Sequence, residues 1–359
     1  MRDITRRVFL HSLADNYRQL RNLANPASCA AVVKANGYGL GMVPVSQALH
    51  AAGCDDFFVA TLAEGEQLRQ ALPTPTIFVL NGLGHHPPQR FQQAQLIPVL
   101  NSGEEIAIWA EANHSTPSPC SLHVDTGMQR LGLPGHEFTR LLADPQLLQR
   151  LNPVLVMSHL INSELSTAAT NDEQLKLFND LLKNLPPEIN RSLSNSSGIF
   201  LGDPFKFDLC RAGAACYGLN PLPGQTNPML PVVEISAPII QIREVHESGK
   251  VGYGGTGKIA AGGRLATIAA GYADGYPRHA GGNATIQIGE WLAPVVGRVS
   301  MDLISVDISH LPRDAVEVGD PAYLLGPLVD ADALAKAAGT IGYEILTGLG
   351  RLAETDYPE

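Results

Sequence analysis

The sequence predicts an α/β fold, in which a (β/α)8 barrel of the TIM type over residues 1–225 precedes a mostly-β domain over residues 226–359. Three observations lead to this prediction. Short apolar segments in the first part alternate with stretches of helical periodicity. The Pro/Gly/Asn-rich segment Leu222–Met229 then interrupts the pattern and reads as a linker. Beyond it, the chain is rich in Gly, Val and Ile and has the short alternating segments typical of β-strands.

Eight segments of the first part are strand candidates, and most of them are continuously apolar. Such runs are typical of parallel strands that are covered by helices on both faces. A closed eight-stranded barrel is the simplest account, and an open doubly wound sheet is the alternative. The candidates are Cys29–Lys34, Phe57–Ala60, Thr76–Leu80, Leu96–Leu100, Ser121–Val124, Val154–Ser158, Ser192–Asn195 and Asp208–Arg211.

Helical periodicity separates these strands. Ser12 is the expected cap of a first helix, and Asn171 is the expected cap of a later one, with Gln174 in the capping-box position. The helix that Asn171 is expected to cap is Asp172–Leu185, and the other predicted helices are Leu40–Ala52, Leu62–Ala71 and Gly103–Ala112. Past the linker, the predicted strands are Val232–Ile242, Leu265–Ala269, Ala284–Ile288 and Leu303–Ile308, with one helix at Asp330–Ala338.

Composition excludes several classes of protein. Of the 359 residues, 45% are hydrophobic and 17% are charged, which indicates a folded core. The formal net charge of −10 argues against a nucleic-acid partner, which would need a basic face. The chain lacks an apolar stretch of membrane-spanning length and an N-terminal signal peptide, so we expect a cytoplasmic protein with no membrane partner. Five scattered cysteines without a CxxC spacing indicate neither disulfides nor a metal site.

The most informative segment runs from Ala31 to Gly41 and reads AVVKANGYGLG. It places Lys34 at the carboxyl end of an apolar strand, and this end of a barrel strand is where catalytic residues lie. A lysine in an apolar setting can have a lowered pKa and act as an amine nucleophile. Position alone favours the simpler interpretation, a lysine whose ammonium group extends to water.

The whole segment closely resembles the pyridoxal-phosphate segment of alanine racemases. The resemblance continues in order along nearly the whole chain. Its further motifs begin at His123 (HVDTGMQRLG), Ser158 (SH), Asn195 (NSSG), Arg211 (RAGAACYG), Val251 (VGYGGTG), Ala270 (AGYADG) and Arg298 (RVSMD).

The resemblance implies a pyridoxal-phosphate enzyme that holds its cofactor as a Schiff base on Lys34 and interconverts L-alanine and D-alanine. Two bases on opposite faces of the substrate are needed. By resemblance, Lys34 is the base for the D-isomer and Tyr253 the base for the L-isomer. His159 matches the partner of that tyrosine. Arg211 matches the residue that faces the pyridine nitrogen, where a guanidinium keeps its proton.

The resemblance also implies how the cofactor and substrate are bound. The implied cofactor ligands besides Lys34 and Arg211 are Tyr38, the Ser196 hydroxyl, backbone amides near Gly213 and Ala214, and Tyr272. Arg130 and the Met301 backbone amide match groups that receive the substrate carboxylate. The family forms homodimers in which each β domain closes the partner's barrel, so the active site is shared. Its members supply D-alanine for peptidoglycan.

Several points stay open at this stage. The substrate could be serine or a broader set of amino acids, and a non-catalytic pyridoxal-phosphate-binding barrel is a rival from another class. The β domain with Tyr253 and Met301 argues against that rival. His123 stands where many members have a carbamylated lysine that orients the arginine matching Arg130. Another group is therefore expected to hold Arg130. Arg351 falls at about the position of a phosphate-binding tyrosine.

Overall fold

The structure is a computed structural model that describes residues 4–113, 117–351 and 353–358. It consists of two compact units that do not follow chain order. The barrel unit contains Leu13–Gly37 and Gly41–Leu230. The β unit contains the described parts of Met1–Ser12, Tyr38–Leu40 and Pro231–Glu359.

The barrel unit contains a parallel sheet of eight strands, and they correspond to the eight predicted ones. We number them barrel strands 1 to 8 in chain order: Ser28–Val32, Asp56–Val59, Thr76–Val79, Ile97–Leu100, Cys120–His123, Pro153–Met157, Asn190–Ser192 and Leu209–Ala212. Strands 1 to 7 pair consecutively, and strand 8 pairs with strand 1. Asp208 N donates to Arg191 O at 3.1 Å beside the remaining seam. The barrel is therefore nearly closed, as the sequence predicts.

Apolar side chains fill the barrel because its strands are buried on both faces. All four residues of Ile97–Leu100 are buried. Phe58 and Phe78, from neighbouring strands, stack with ring centroids 4.5 Å apart. This packing holds the strand ends in fixed positions, and Lys34, His123 and His159 lie at or just after those ends.

The helices around the barrel have the bounds Leu10–Ala24, Met42–Ala51, Leu62–Ala71, Pro88–Gln93, Gly103–Ala112, Gly135–Leu142, Pro145–Leu151 and Ala169–Leu181. Short 3₁₀ turns lie at Gly198–Leu201, Asp203–Phe205 and Ala214–Tyr217. Within the described residues, no helix is long and apolar enough to cross a membrane.

Two predicted helix caps are wrong. The first helix begins before Ser12, and that side chain is buried. Asn171 lies inside its helix, where its amide donates to the Leu165 carbonyl at 2.9 Å. Gln174 accepts from the Ile161 amide and donates to the His159 carbonyl. Both side chains hold the loop after barrel strand 6, so tertiary bonds replace the local capping bonds.

The β unit is built around the long strand Val233–Glu244, which pairs with Thr5–Val8, Arg264–Ile268 and Pro321–Leu325. The other strands of this sheet are Thr285–Ile288, Trp291–Pro294, Ile304–Asp307 and Glu354–Asp356. Gly249–Val251 and Gly257–Ile259 form a separate two-stranded sheet. The helices Ala331–Ala338 and Gly342–Gly348 complete the unit, with 3₁₀ turns at Tyr253–Gly255, Tyr272–Asp274 and Arg278–Ala280.

The first strand of the chain, Thr5–Val8, belongs to the β unit although chain order assigned it to the barrel domain. It runs antiparallel to Val233–Glu244, with Val8 opposite Val233. Its residues are alternately exposed and buried, which is the pattern of a strand with one face against a core. The four strands predicted past the linker and the helix near Asp330 are all present.

Candidate active site

Lys34 lies at the carboxyl end of barrel strand 1, one residue past Val33. The turn Lys34–Tyr38 that it begins is left-handed: φ is 54° at Ala35, 55° at Asn36, 61° at Gly37 and 53° at Tyr38. L-amino acids rarely adopt this conformation, and glycine and asparagine adopt it most readily. The surrounding structure must therefore hold the turn that follows the lysine.

The Lys34 amine is half-buried, and its pKa lies below the ordinary value for lysine. Burial is the main cause because it disfavours the ammonium form, and the cations of Arg130 and Arg211 lower the pKa further. The Glu64 carboxylate acts in the opposite direction. A lowered pKa increases the fraction of neutral amine, which is the form that acts as a nucleophile or base.

Arg211 is buried in barrel strand 8, where the protein anchors both of its terminal nitrogens. Nη1 donates to the Ser192 hydroxyl, and Nη2 donates to the Ser158 carbonyl at 2.6 Å. Burial lowers the pKa of Arg211 to about 10, so the guanidinium remains charged at neutral pH. In the part of the chain that the structure describes, nothing accepts a hydrogen bond from its Nε, so this N–H is available as a donor to a ligand.

His159 follows barrel strand 6 and lies against Arg211, with its Nδ1 3.3 Å from Arg211 Nη2. Burial, and then the charges of Arg211 and Arg130, lower the pKa of His159 to about 3. The imidazole is therefore neutral at physiological pH. Since Arg211 can only donate, His159 Nδ1 accepts and the single proton of the ring lies on Nε2. His159 thus presents an N–H donor that its neighbour fixes.

Ser196, Gly213 and Ala214 come together at the carboxyl ends of barrel strands 7 and 8. The Ser196 Oγ accepts from the Gly213 amide at 2.8 Å and from the Ala215 amide at 3.3 Å. Its own hydroxyl proton is therefore directed away from these two amides. The Ala214 amide begins a 3₁₀ turn and has no acceptor among the described residues. The Ser196 hydroxyl and the Ala214 amide can accordingly donate to an anion, whereas the Gly213 amide is already occupied.

His123, at the end of barrel strand 5, is fixed by Asn101. The Asn101 amide nitrogen donates to the carbonyls of Leu80 and Val99, so its Oδ1 faces His123 Nδ1 at 2.8 Å. His123 is therefore the donor in this bond, and its Nε2 carries a lone pair. Burial, and next the charge of Arg211, lower its pKa to about 4, which keeps the ring neutral.

Arg130 lies on the loop after barrel strand 5 and is exposed. None of the residues in the described ranges forms a hydrogen bond or a salt bridge with its side chain. The sequence led us to expect a fixed partner that replaces the carbamylated lysine, and the described residues provide none. Arg130 does contribute to the positive field that lowers the pKa of Lys34 and of His159.

The β unit holds three of the predicted groups on exposed surface. Tyr253 is 70% exposed, Met301 53% and Tyr272 41%. Tyr253 lies in a 3₁₀ turn between Gly252 and Gly254, whose φ angles are 74° and 72°. The Tyr272 amide donates to the Ser300 carbonyl at 3.1 Å, so Tyr272 and Met301 lie on adjacent backbone. The Met301 amide has no acceptor among the described residues, as a backbone ligand requires.

Tyr38 is also part of the β unit and is buried, with its ring centroid 6.1 Å from that of Tyr343. Tyr343 was not singled out from the sequence, because an isolated tyrosine in a short helix carries no signal. Arg351 is exposed. Residues 252–257 (GYGGTG) have the glycine spacing of a dinucleotide-binding loop, but they connect the short strands Gly249–Val251 and Gly257–Ile259 and do not begin a helix, which argues against that function.

Sequence reasoning missed two polar residues near Lys34 and Arg130. Asn101 fixes His123, and Glu64 accepts a hydrogen bond from the Ala35 amide at 2.7 Å. The local signal for Glu64 was its capping box with Thr61, which the structure contains. Neither partner could be found from spacing, since the bonds join residues 22 and 29 positions apart.

Comparison with known proteins identifies the family. The model of the alanine racemase N-terminal domain matches residues 8–221, and that of the C-terminal domain matches residues 232–357. The chain belongs to the alanine racemase family. It is therefore an amino-acid racemase, as the sequence motifs predict.

Relatives within the alanine racemase family match nearly the whole chain. The alanine racemase of Rhodospirillum rubrum is 46% identical over 347 residues, which cover 96% of this chain and 92% of that protein. The biosynthetic alanine racemase of Agrobacterium fabrum is 42% identical, covering 98% of this chain and 92% of that protein. The catabolic alanine racemase of Mesorhizobium japonicum is 44% identical, covering 96% and 90%.

Solved structures of alanine racemases have the same fold. The crystal structure from Bartonella henselae, described with covalently bound pyridoxal phosphate, superposes with a TM-score of 0.94 at 36% identity and covers 99% of both chains. The biosynthetic enzyme of Pseudomonas aeruginosa superposes with a TM-score of 0.91 at 32% identity and covers 100% of both. The barrel and the β unit are thus those of an alanine racemase.

Proposed function

We propose that this alanine racemase interconverts L-alanine and D-alanine with pyridoxal phosphate bound covalently to Lys34, and that Lys34 and Tyr253 are its two bases. The environment of Lys34 carries the proposal. A half-buried amine with a lowered pKa lies at the carboxyl end of a barrel strand, in the positive field of Arg130 and Arg211. Such an amine can form a covalent bond with an aldehyde at neutral pH.

The barrel residues fit pyridoxal phosphate, which the relative from Bartonella henselae carries. Lys34 supplies the amine. Arg211 offers its unbonded Nε to the pyridine nitrogen, and the Ser196 hydroxyl and Ala214 amide offer donors to the phosphate. When bound, the cofactor supplies the electron sink that makes the α-proton of alanine acidic. We also propose Tyr38 and Tyr272 as cofactor contacts, and Gly213 as a residue that supports the phosphate site through its bond to Ser196.

The two bases handle the α-proton from opposite faces of the substrate. Lys34 Nζ removes the proton of D-alanine and returns it when L-alanine reacts, and Tyr253 Oη does the reverse. A tyrosine ordinarily titrates near 10, so its phenolate needs stabilisation. The Nε2–H of neutral His159 is the donor proposed for that purpose, because Arg211 fixes the tautomer that places the proton there.

Arg211 limits the reaction to racemisation. Its guanidinium remains charged at neutral pH and can only donate, so it holds the pyridine nitrogen unprotonated. An unprotonated nitrogen weakens the electron sink and shortens the life of the carbanion, which limits side reactions such as transamination. The four hydrogen-bond contacts of its terminal nitrogens keep the guanidinium in place for this role.

The substrate carboxylate is bound by Arg130 and the Met301 backbone amide. Guanidinium binds carboxylates with two parallel hydrogen bonds, and Arg130 has no competing partner among the described residues. The Met301 amide is likewise without an acceptor in those residues. These two groups select an amino acid by its carboxylate and leave the preference for a methyl side chain to the surrounding pocket.

We further propose a homodimer in which each β unit completes the partner's active site. The exposure of Tyr253, Met301 and Tyr272 supports it, since catalytic groups must be enclosed to act and these lie on open surface in one chain. A two-fold axis would give two identical sites. In the cell, we propose cytoplasmic synthesis of D-alanine for peptidoglycan. Rescue of a D-alanine auxotroph by the gene tests that role, and growth only with added D-alanine would contradict it.

The chemistry is tested by reduction and by a substrate panel. Borohydride treatment followed by peptide mapping should place the pyridoxyl group on Lys34. A label on Lys206 or Lys258 would overturn the proposal. Chiral chromatography over a panel of amino acids should show alanine racemised with the highest kcat/KM, whereas a preference for serine would reassign the substrate.

A further inference from the structure

The left-handed turn that follows Lys34 is held by few bonds. The Gly37 amide donates to the Val33 carbonyl, and the Gly41 amide donates to the Asn36 carbonyl, both at 2.9 Å. The Asn36 Oδ1 accepts from the Met42 amide at 3.0 Å. These bonds hold the middle and the end of the turn. Ala35 and Tyr38 are neither Gly nor Asn, so their left-handed conformations need an external constraint, and of these two residues Ala35 directly follows Lys34.

Glu64 supplies that constraint from the next βα loop. Its Oε1 accepts from the Ala35 amide at 2.7 Å, and its Oε2 accepts from the amides of Ala60 and Thr61 at 2.8 and 3.1 Å. The second oxygen thereby fixes the carboxylate to the end of barrel strand 2 and to the start of the helix Leu62–Ala71. A carboxylate bound on both sides joins the backbone next to Lys34 rigidly to the barrel.

The same arrangement recurs elsewhere in the barrel. Glu105 lies in the first turn of the helix Gly103–Ala112, and its Oε2 accepts from the Asn101 amide at 2.7 Å. Its Oε1 accepts from the Leu83 amide at 2.8 Å, in the loop after barrel strand 3. Glu105 thus forms the same type of bracket between two βα loops, but its loop carries no lysine. Glu105 therefore offers a control for the effect of removing a carboxylate that joins two βα loops at a place away from Lys34.

We propose that Glu64 is a positioning residue for Lys34: it holds the left-handed turn through the Ala35 amide and places a negative charge near the amine. This negative charge raises the pKa of Lys34 and so counteracts the charges of Arg130 and Arg211, which lower it. This proposal rests on the proposed role of Lys34 as a base, while the hold on the turn stands on geometry alone. Under this proposal, Glu64 acts through the Ala35 amide and through its charge, and it contacts neither cofactor nor substrate.

The first test is hydrogen exchange of the holoenzyme, followed by mass spectrometry of the peptide that spans residues 33–41. Glu64→Gln and Glu64→Ala should speed exchange of the Ala35 amide roughly tenfold to hundredfold, which corresponds to the loss of a hydrogen bond to a charged group. Glu105→Gln should speed exchange near residues 83 and 101 instead. Thr61→Ala weakens the same helix N-terminus but leaves the bond to Ala35, so it controls for helix fraying.

The second test is the pH profile of kcat for D-alanine, in which Lys34 is the proposed base. The acid limb should reflect the pKa of Lys34 in the substrate complex. Removing the negative charge in Glu64→Gln lowers that pKa, so the limb should move to lower pH by about 0.5 to 1 unit. The kcat at high pH should fall as well, because the amine is less well oriented. A variant that is merely less stable would lose activity without moving the limb.

Two results would overturn the proposal, and they differ from a failure of the proposed function. If Glu64→Gln changes neither exchange at Ala35 nor the acid limb, Glu64 is only a helix cap. If the limb moves equally in Glu105→Gln, the shift does not arise from the charge near Lys34. If reduction of the wild-type enzyme labels another lysine, the proposed function fails, whereas the exchange experiment still reports whether Glu64 holds the turn.

Discussion

Nη2 of Arg211 lies 3.3 Å from Nδ1 of His159, and this contact fixes the tautomer of the neutral imidazole. The charged guanidinium excludes a proton from His159 Nδ1 and helps to lower the pKa of the imidazole to about 3. The histidine in turn is one of several groups that hold the guanidinium in place. The pair therefore consists of a buried cation and a neutral imidazole whose N–H donor is on Nε2.

The first prediction concerns acid stability. His123 and His159 have native pKa values of about 4 and about 3, below the ordinary 6.5. As the pH falls below 6.5, the unfolded chain binds protons on these rings and the native state does not, so stability is lost. Each histidine should lower the free energy of unfolding by about 2 kcal/mol between pH 7 and pH 5.

Urea denaturation at the two pH values measures this loss. His159→Gln keeps a polar side chain of similar length but cannot bind a proton. It should therefore reduce the difference in the free energy of unfolding between pH 7 and pH 5 by the contribution of one histidine. His136→Gln alters an exposed histidine and should leave the difference unchanged. An unaltered difference in His159→Gln would show that the ring is protonated in the native state.

The second prediction concerns Arg211. Arg211→Glu replaces a permanent donor with a carboxylate that can share a proton with the pyridine nitrogen, so the electron sink becomes stronger. Racemisation should slow roughly 100-fold or more, a long-wavelength absorption band should accumulate, and transamination should increase. Arg211→Lys keeps the positive charge and should show the slower rate without the new band. Unchanged spectra and rates in Arg211→Glu would show that the residue is only structural.

The third prediction concerns the phosphate-binding end of the site. Ser196→Ala removes the hydroxyl that accepts from the amides of Gly213 and Ala215, and the affinity for pyridoxal phosphate should fall roughly tenfold. Reconstitution of the apoenzyme, followed by cofactor absorbance, measures the affinity. Ser194→Ala is the matched control, since it removes a buried hydroxyl of the same segment that donates to the Phe205 carbonyl. Equal losses in the two variants would argue for general destabilisation.

The fourth prediction concerns the shared active site. Lys34→Ala and Tyr253→Phe should each be nearly inactive alone. In a hybrid dimer, one site combines Lys34 of one chain with Tyr253 of the other and is wholly wild type. The second site carries both substitutions. Random mixing makes half of the dimers hybrid, so activity should recover to about a quarter of the wild-type value. If hybrids form and recover nothing, Tyr253 acts within its own chain.

Much of the fold could be predicted from the sequence because it depends on local patterns. The apolar strands, the linker and the alternation past it gave the two parts of the molecule. The motif that begins at Ala31 singled out Lys34 as the expected cofactor lysine, and this role stays a prediction.

Only the tertiary structure decided which polar groups meet. Asn171 and Gln174 had the spacing of a helix cap, yet they bind the loop after barrel strand 6. Thr5–Val8 was assigned to the barrel domain by chain order, but it pairs with Val233–Glu244, a strand more than 200 residues later in the chain. The bonds from Glu64 to Ala35 and from Asn101 to His123 join separate βα units. Local spacing determines what a segment can form, but closure of the barrel brings its strand ends together, and that proximity sets the bonds and pKa values of the site.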